Sequence, residues 1–134
     1  MCLLDGVRAW TTDTIDCVAT SHCDPANPLR SDDRLGVAHG IEYAAQAMAV
    51  HGALLAGGTG ARPRLGYLAS VRGVQLHVDR LDDRPGQLDV QAERLSGDEL
   101  RILYRFAVMH QGQCLLEGRA AVLLDAAAVS GESS

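Results

Sequence analysis

The chain has 134 residues, 12 of them basic and 17 acidic, which gives a formal net charge of −5, and 47% of its residues are hydrophobic. This length and composition predict one domain with a single core and exclude a disordered chain. The acidic balance, without a basic run, argues against binding to nucleic acid or to an anionic membrane. All basic residues are arginines, which excludes lysine-dependent chemistry such as a Schiff base or a Walker phosphate loop.

Neither a secretory signal nor an apolar stretch long enough for membrane insertion is recognisable, so the sequence predicts a cytoplasmic protein. In that compartment we expect the four cysteines to be reduced thiols rather than two disulfides. No Cys-x-x-Cys pair occurs, and the run from His22 to Asp24 has no second pair of ligands at a useful spacing. We therefore expect no metal site and no cofactor.

The first half of the chain predicts two short strands, a loop and one long helix. Apolar or alternating runs over 1–10 and 14–20 are typical of strands, and prolines, serines and aspartates make 21–36 a loop. The segment from Val37 to Ala56 is rich in alanine, leucine, isoleucine and methionine and lacks proline, which predicts a helix. Because this helix is apolar nearly all round, we expect the rest of the fold to enclose it. The segment G-G-T-G at 57–60 ends the helix.

The second half predicts strands in which apolar and polar residues alternate, one around each of Leu76, Val90, Tyr104 and Val122. The segments 83–86, 96–98 and 111–112 have the composition of hairpin turns between these strands. Such a sheet has one buried face, and the single helix is the candidate to cover it. The sequence thus predicts an α+β fold, with one domain over 1–127 and a loose tail over 128–134.

Three polar residues lie on one ridge of the predicted helix, because His39, Glu42 and Gln46 follow one another at i, i+3 and i+7. A carboxyl group on an apolar helix can be held protonated, which suits it to general acid or base catalysis. Alternatively, the ridge is a strip that faces solvent or another subunit. Both interpretations are open from the residues alone.

Two further residues before or near the helix are candidates for function. His22 lies where the second strand passes into the loop, a usual place for functional residues, although an ordinary surface histidine would also fit. Gly40 is unusual near a helix start, where glycine costs up to about 1 kcal/mol relative to alanine. Close approach of a ligand to the N–H groups there is one reason to keep it.

Four motifs, in chain order, resemble those of bacterial 3-hydroxyacyl-[acyl-carrier-protein] dehydratases. Residues 42–46 read E-Y-A-A-Q and are similar to the E-x-x-A-Q signature of that family's central helix. Residues 1–7 resemble its first-strand motif, with Gly6 in place of an arginine, while 66–69 resemble the strand after the helix and 85–88 a shortened Pro-Gly-x-x-Leu turn. The resemblance extends to the dehydratase-like proteins of aryl-polyene clusters.

This resemblance implies a hotdog fold, in which an antiparallel sheet wraps one long helix. It implies a homodimer or a dimer of dimers, with an acyl tunnel at the subunit interface and an acyl-ACP or acyl-CoA thioester as substrate. It also implies Glu42 as the catalytic acid, Gln46 as its helix neighbour and N–H groups near Gly40 as the binding site of the thioester carbonyl.

A catalytic histidine, often from the other subunit, completes the family's site. The fatty-acid enzymes carry it in a Gly-His-Phe-Pro segment before the helix, where this chain has N-P-L-R at 27–30. His22 is the expected catalytic partner of Glu42, with His39 as the alternative. Gly40, His39 and Gln46 are expected to contact the substrate. The expected function is a dehydratase-like hydro-lyase; the alternatives are an acyl thioesterase and a non-catalytic protein that binds acyl chains or acyl carriers.

Overall fold

The computed structural model describes residues 3–32, 34–57, 66–98 and 100–124. Its helix and strands follow the predicted order, as β1 Gly6–Trp10, β2 Thr14–Ala19, α1 Gly40–Gly57, β3 Gly66–Leu76, β4 Leu88–Gly97, β5 Arg101–His110 and β6 Gln113–Leu124. Short 3₁₀ turns over Ser21–Cys23 and Val37–His39 lie in the loop before α1. Residues 58–60 of the predicted helix end and the predicted tail over 128–134 lie outside the described residues.

The six described strands form one antiparallel sheet in the order β1-β2-β4-β5-β6-β3, so β1 and β3 are its edges. Along β5, exposed and buried residues alternate from Arg101 to Val108, as the period of a strand with one buried face requires. The helix packs on that buried face, mainly against β2, β4 and β5. The predicted α+β architecture is confirmed.

Two of the three predicted hairpin turns are confirmed. Gln111 and Gly112 have φ values of 49° and 81°, which fit a type I′ turn between β5 and β6. Between β4 and β5, the Asp98 N–H donates to the Arg101 carbonyl at 2.9 Å. The third prediction, a hairpin over 83–86, is wrong, because β3 pairs with β6 and β4 lies between β2 and β5. Turn composition identifies a change of direction, whereas long-range contacts decide which strands pair.

The helix is not enclosed by the single chain, contrary to the sequence prediction. Its buried face consists of Tyr43, Ala44, Ala47, Met48 and His51. Glu42, Ala49 and Ala53 are exposed on the other side. The large side chains Tyr43 and His51 therefore mark the buried face. The pattern of apolar residues could not identify this face, because alanines occur on most sides of the helix.

The described cysteines Cys17, Cys23 and Cys114 are free thiols, as the sequence predicted. Burial raises the pKa of the Cys17 thiol to about 11, so this side chain stays neutral within the core. In the described part of the chain, no helix combines the length and the hydropathy of a membrane-spanning segment.

Two glycines of α1 have opposite surroundings and should respond oppositely to alanine. A Cβ at Gly40 would overlap Leu116 Cδ2 and lie 3.2 Å from Leu116 Cδ1, whereas a Cβ at Gly52 would meet nothing within 4 Å. We expect Gly40→Ala to destabilise the fold by about 1–3 kcal/mol through overpacking. Gly52→Ala should stabilise it by up to about 1 kcal/mol, because alanine has the higher helix propensity. Urea unfolding midpoints of the two variants check this; equal shifts in one direction would contradict it.

Candidate functional site

His39 and Glu42 lie side by side where the 3₁₀ turn passes into α1. The His39 N–H donates to the Gly36 carbonyl at 3.1 Å, which fixes the turn, and Glu42 lies in the first turn of the helix. Their spacing of three residues places both side chains on one ridge. His39 Nδ1 is 3.6 Å from Glu42 Oε1, and the two side chains are 38% and 51% exposed. This placement matches the interpretation of a strip that faces solvent or another subunit.

The start of the helix is anchored to the preceding loop through the residue next to Glu42. Tyr43 is fully buried, and its hydroxyl lies 2.8 Å from Ser21 Oγ and accepts a hydrogen bond from Asn27 Nδ2 at 3.0 Å. Asn27 Nδ2 also donates to the Ser21 carbonyl at 2.9 Å. Burial raises the pKa of Tyr43, so the phenol stays protonated within this network. These contacts fix the position from which Glu42 projects.

Two residues expected at the substrate have structural contacts of their own. Gln46 Oε1 accepts a hydrogen bond from the Leu3 N–H at 2.7 Å and so ties the N-terminal segment to α1. The Gly40 N–H donates to the Val37 carbonyl in the 3₁₀ turn. Leu116 accounts for the lack of a side chain at Gly40, so packing explains this glycine without a ligand.

His22 is completely buried in the 3₁₀ turn after β2. Its Nε2–H donates to the Arg84 carbonyl at 2.6 Å, and the Cys23 thiol donates to the same carbonyl at 3.3 Å. Burial lowers the pKa of His22, which favours the neutral ring with its lone pair on Nδ1. Nδ1 has no hydrogen-bond partner. These contacts hold the imidazole against the segment before β4, and its pairing with Glu42 stays a prediction.

The other three histidines each have a hydrogen-bond or ion-pair partner within the chain. His51 is buried; its Nε2–H donates to the Thr11 carbonyl at 2.8 Å, and its Nδ1 lies 2.8 Å from the Tyr104 hydroxyl. His110 Nε2–H donates to the Pro85 carbonyl at 2.8 Å. His77, at the end of β3, is exposed and pairs with a glutamate of β6.

One group of three side chains in the described segments has the donor types and proximity to hold a metal ion. It consists of His77, Cys114 and Glu117, whose ligand atoms lie within 4.8 Å of one another. Glu117 lines a cleft of about 710 Å³ on the outer face of the sheet, the side away from α1. A second cleft, of about 360 Å³, lies beside Trp10. Glu42 lines neither cleft, so both are separate from the candidate site.

Comparison with solved structures supports the fold and the family resemblance. The dehydratase heterocomplex ApeI:P from Xenorhabdus doucetiae has a TM-score of 0.82 and 25% identity over 92% of this chain and 82% of that chain. A thioesterase from Haemophilus influenzae has a TM-score of 0.65 and 10% identity over 89% of this chain and 76% of that chain. A hypothetical thioesterase with coenzyme A from Streptococcus pneumoniae has a TM-score of 0.63 and 9% identity over 89% of this chain and 84% of that chain. The predicted hotdog fold is confirmed.

Comparison with curated proteins gives no match. The family profile described as ApeP-like, ApeP dehydratase, matches residues 1–129, which is nearly the whole chain. The resemblance to dehydratases of aryl-polyene type is therefore confirmed, and with it a dehydratase-like function. The chain belongs to the ApeP-like dehydratase family.

Proposed function

We propose that this protein removes water from 3-hydroxyacyl thioesters and that Glu42 and His39 make the two proton transfers. The observation that carries the proposal is the contact between His39 Nδ1 and Glu42 Oε1, 3.6 Å apart, in a chain of a dehydratase family. A separation slightly beyond hydrogen-bond length is usual for catalytic groups without substrate, which close in when it binds. The other ion pair between a histidine and a glutamate in the described residues, His77 with Glu117, lies on the sheet and not at the start of α1.

In this mechanism the imidazole of His39 takes the proton from C2 of the substrate. Glu42 gives its proton to the C3 hydroxyl, the C3–O bond breaks, and the electrons of the C2–H bond form the C2–C3 double bond. The products are a 2-enoyl thioester and water.

The single chain leaves the Glu42 side of α1 open, which leaves room for a second hotdog chain to complete the site. Glu42, Ala49 and Ala53 form an exposed face of α1. Edge strand β3 is 11 residues long and exposes Leu68 and Leu76, and unpaired edges of this length tend to pair with another strand. We propose that a second chain, a copy of this one or a different hotdog chain as in the heterocomplex ApeI:P, pairs there and closes an acyl tunnel.

Thioester hydrolysis is the second candidate. It is favoured by the fold shared with thioesterases and by the 51% exposure of the Glu42 side chain, which leaves room for a water molecule that the carboxylate could activate. In this reaction water attacks the thioester carbonyl, the C–S bond breaks, and the products are a carboxylic acid and a thiol.

Product analysis separates the candidates. The purified protein is incubated with 3-hydroxyacyl and with saturated acyl thioesters, each on acyl carrier protein and on CoA. We expect a 2-enoyl thioester from the 3-hydroxyacyl substrates and no free thiol from either set. Release of free thiol without an enoyl product would overturn the dehydratase proposal in favour of hydrolysis. Saturable binding of the thioesters without any product would favour the non-catalytic acyl-binding alternative.

A further inference from the structure

Three arginines stand in a row across the outer face of the sheet. The strand register places Arg72 of β3 directly opposite Arg119 of β6, and Arg119 directly opposite Arg105 of β5. All three are exposed, and Arg105 and Arg119 each lie between two buried neighbours, so the row projects away from α1 and from Glu42. This row is therefore independent of the proposed dehydratase site.

A bulge in β3 shapes the same surface. Between Arg72 and Gln75 the register shifts by one residue, and Gly73, within the bulge, has a φ of 61° that favours glycine. Residues three apart on a regular strand point to opposite faces, yet both Arg72 and Gln75 line the outer cleft. The bulge thus turns a polar side chain towards the arginines, as bulges beside binding sites do.

The row lacks neutralising partners within the described residues. Like charges directly opposite each other destabilise a sheet, and this chain has a net charge of −5, so carboxylates are not scarce. Arg72 and Arg119 nevertheless have no ion pair in the described segments, and Arg105 has only an exposed pair with Glu93 at 3.7 Å. The carboxylate of Glu117 is held by His77 at 3.0 Å. The positive charge is left available to a ligand.

The cleft that these arginines line has the size of a small-molecule site. Its volume is about 710 Å³, and Arg101 and Ser70 also line it. Neighbouring strands are about 4.8 Å apart, so adjacent guanidinium groups can converge on one phosphoryl group or hold both groups of a diphosphate. The planar, forked guanidinium binds phosphate oxygens in pairs, which lysine cannot do.

We propose that this outer cleft is a binding site for a phosphate ester or diphosphate, with Arg119 at its centre. Arg119 has an arginine directly opposite on each side, so its removal interrupts the row, whereas Arg72 ends the row at the sheet edge. The ligand chemistry is shared by free diphosphate and by the nucleotide portion of coenzyme A.

The test measures dissociation constants by isothermal titration calorimetry for inorganic pyrophosphate, coenzyme A and dephospho-coenzyme A, at an ionic strength fixed with sodium chloride. We expect saturable pyrophosphate binding that Arg119→Gln and Arg72→Gln each weaken at least tenfold. Arg34→Gln is the matched control, because Arg34 is exposed in the loop before α1 and does not line the cleft; it should change affinity less than twofold. Parallel losses for coenzyme A would identify the nucleotide as the source, and losses for pyrophosphate alone would identify free diphosphate.

Two results would overturn the proposal. One is the absence of saturable pyrophosphate binding to the wild-type protein. The other is equal weakening by Arg34→Gln and Arg119→Gln, which would reduce the effect to diffuse attraction by surface charge. Weaker binding by a cleft variant would not reflect unfolding. Each of these substitutions removes a contact between like charges, so the urea midpoint should not fall.

Discussion

Glu42→Gln is expected to lower kcat for dehydration at least about a hundredfold, because the amide keeps the size of the side chain but has no proton to give to the leaving hydroxyl. The fold should be unaffected, since the carboxyl group is half-exposed and contacts His39 at 3.6 Å rather than a buried partner. Initial rates of enoyl formation, together with the urea midpoint, measure both effects. The affinity for the acyl thioester should change much less than kcat.

Glu93→Gln is the matched control for this experiment. Its side chain is 50% exposed and lies 3.7 Å from a cation, Arg105, so it shares the surroundings of Glu42 but stands on β4. We expect wild-type kcat for this variant. If Glu42→Gln also retained wild-type turnover, Glu42 would have no part in proton transfer, and the proposed mechanism would fail while the family membership and the fold would stand.

Local patterns in the sequence predict much of this fold. The alternation of apolar and polar residues gave the strands, and Gln111-Gly112 gave a hairpin, because both depend on residues close in sequence. The sequence predicted a hairpin between β3 and β4, but these strands do not pair, because their connection depends on residues far apart in the sequence. It is fixed by distant contacts, such as the hydrogen bond from the Leu81 N–H to the Leu35 carbonyl at 2.8 Å.

In the candidate site, too, contacts between residues close in sequence were predictable and contacts between distant residues were not. The i, i+3 spacing of His39 and Glu42 predicted their contact, since helical geometry brings such residues together. The position of His22 could not be predicted, because the carbonyl that orients it belongs to Arg84, 62 residues away. The buried side of the helix likewise depends on distant partners, with Tyr43 bonded to Ser21 and His51 to Thr11.

Which histidine assists Glu42 is decided by comparing His39→Gln with His22→Gln. We expect His39→Gln to lower kcat about 100- to 10,000-fold, the range for loss of a general base, with little change in the urea midpoint because the side chain is 38% exposed. His22→Gln should retain the kcat of the folded protein. It should instead alter stability, because His22 is fully buried and donates to the Arg84 carbonyl.

The pH dependence of stability identifies the structural role of His22 without reference to activity. Burial lowers its pKa in the folded chain, so the unfolded chain, with a histidine pKa near 6.5, binds the proton more readily. Wild-type stability should therefore fall as the pH drops below about 6.5, down to the pKa of the folded state. His22→Gln should remove this part of the slope, whereas His39→Gln should keep it. A large loss of kcat in fully folded His22→Gln, with His39→Gln still active, would instead assign the general base to the buried imidazole and its unpartnered Nδ1.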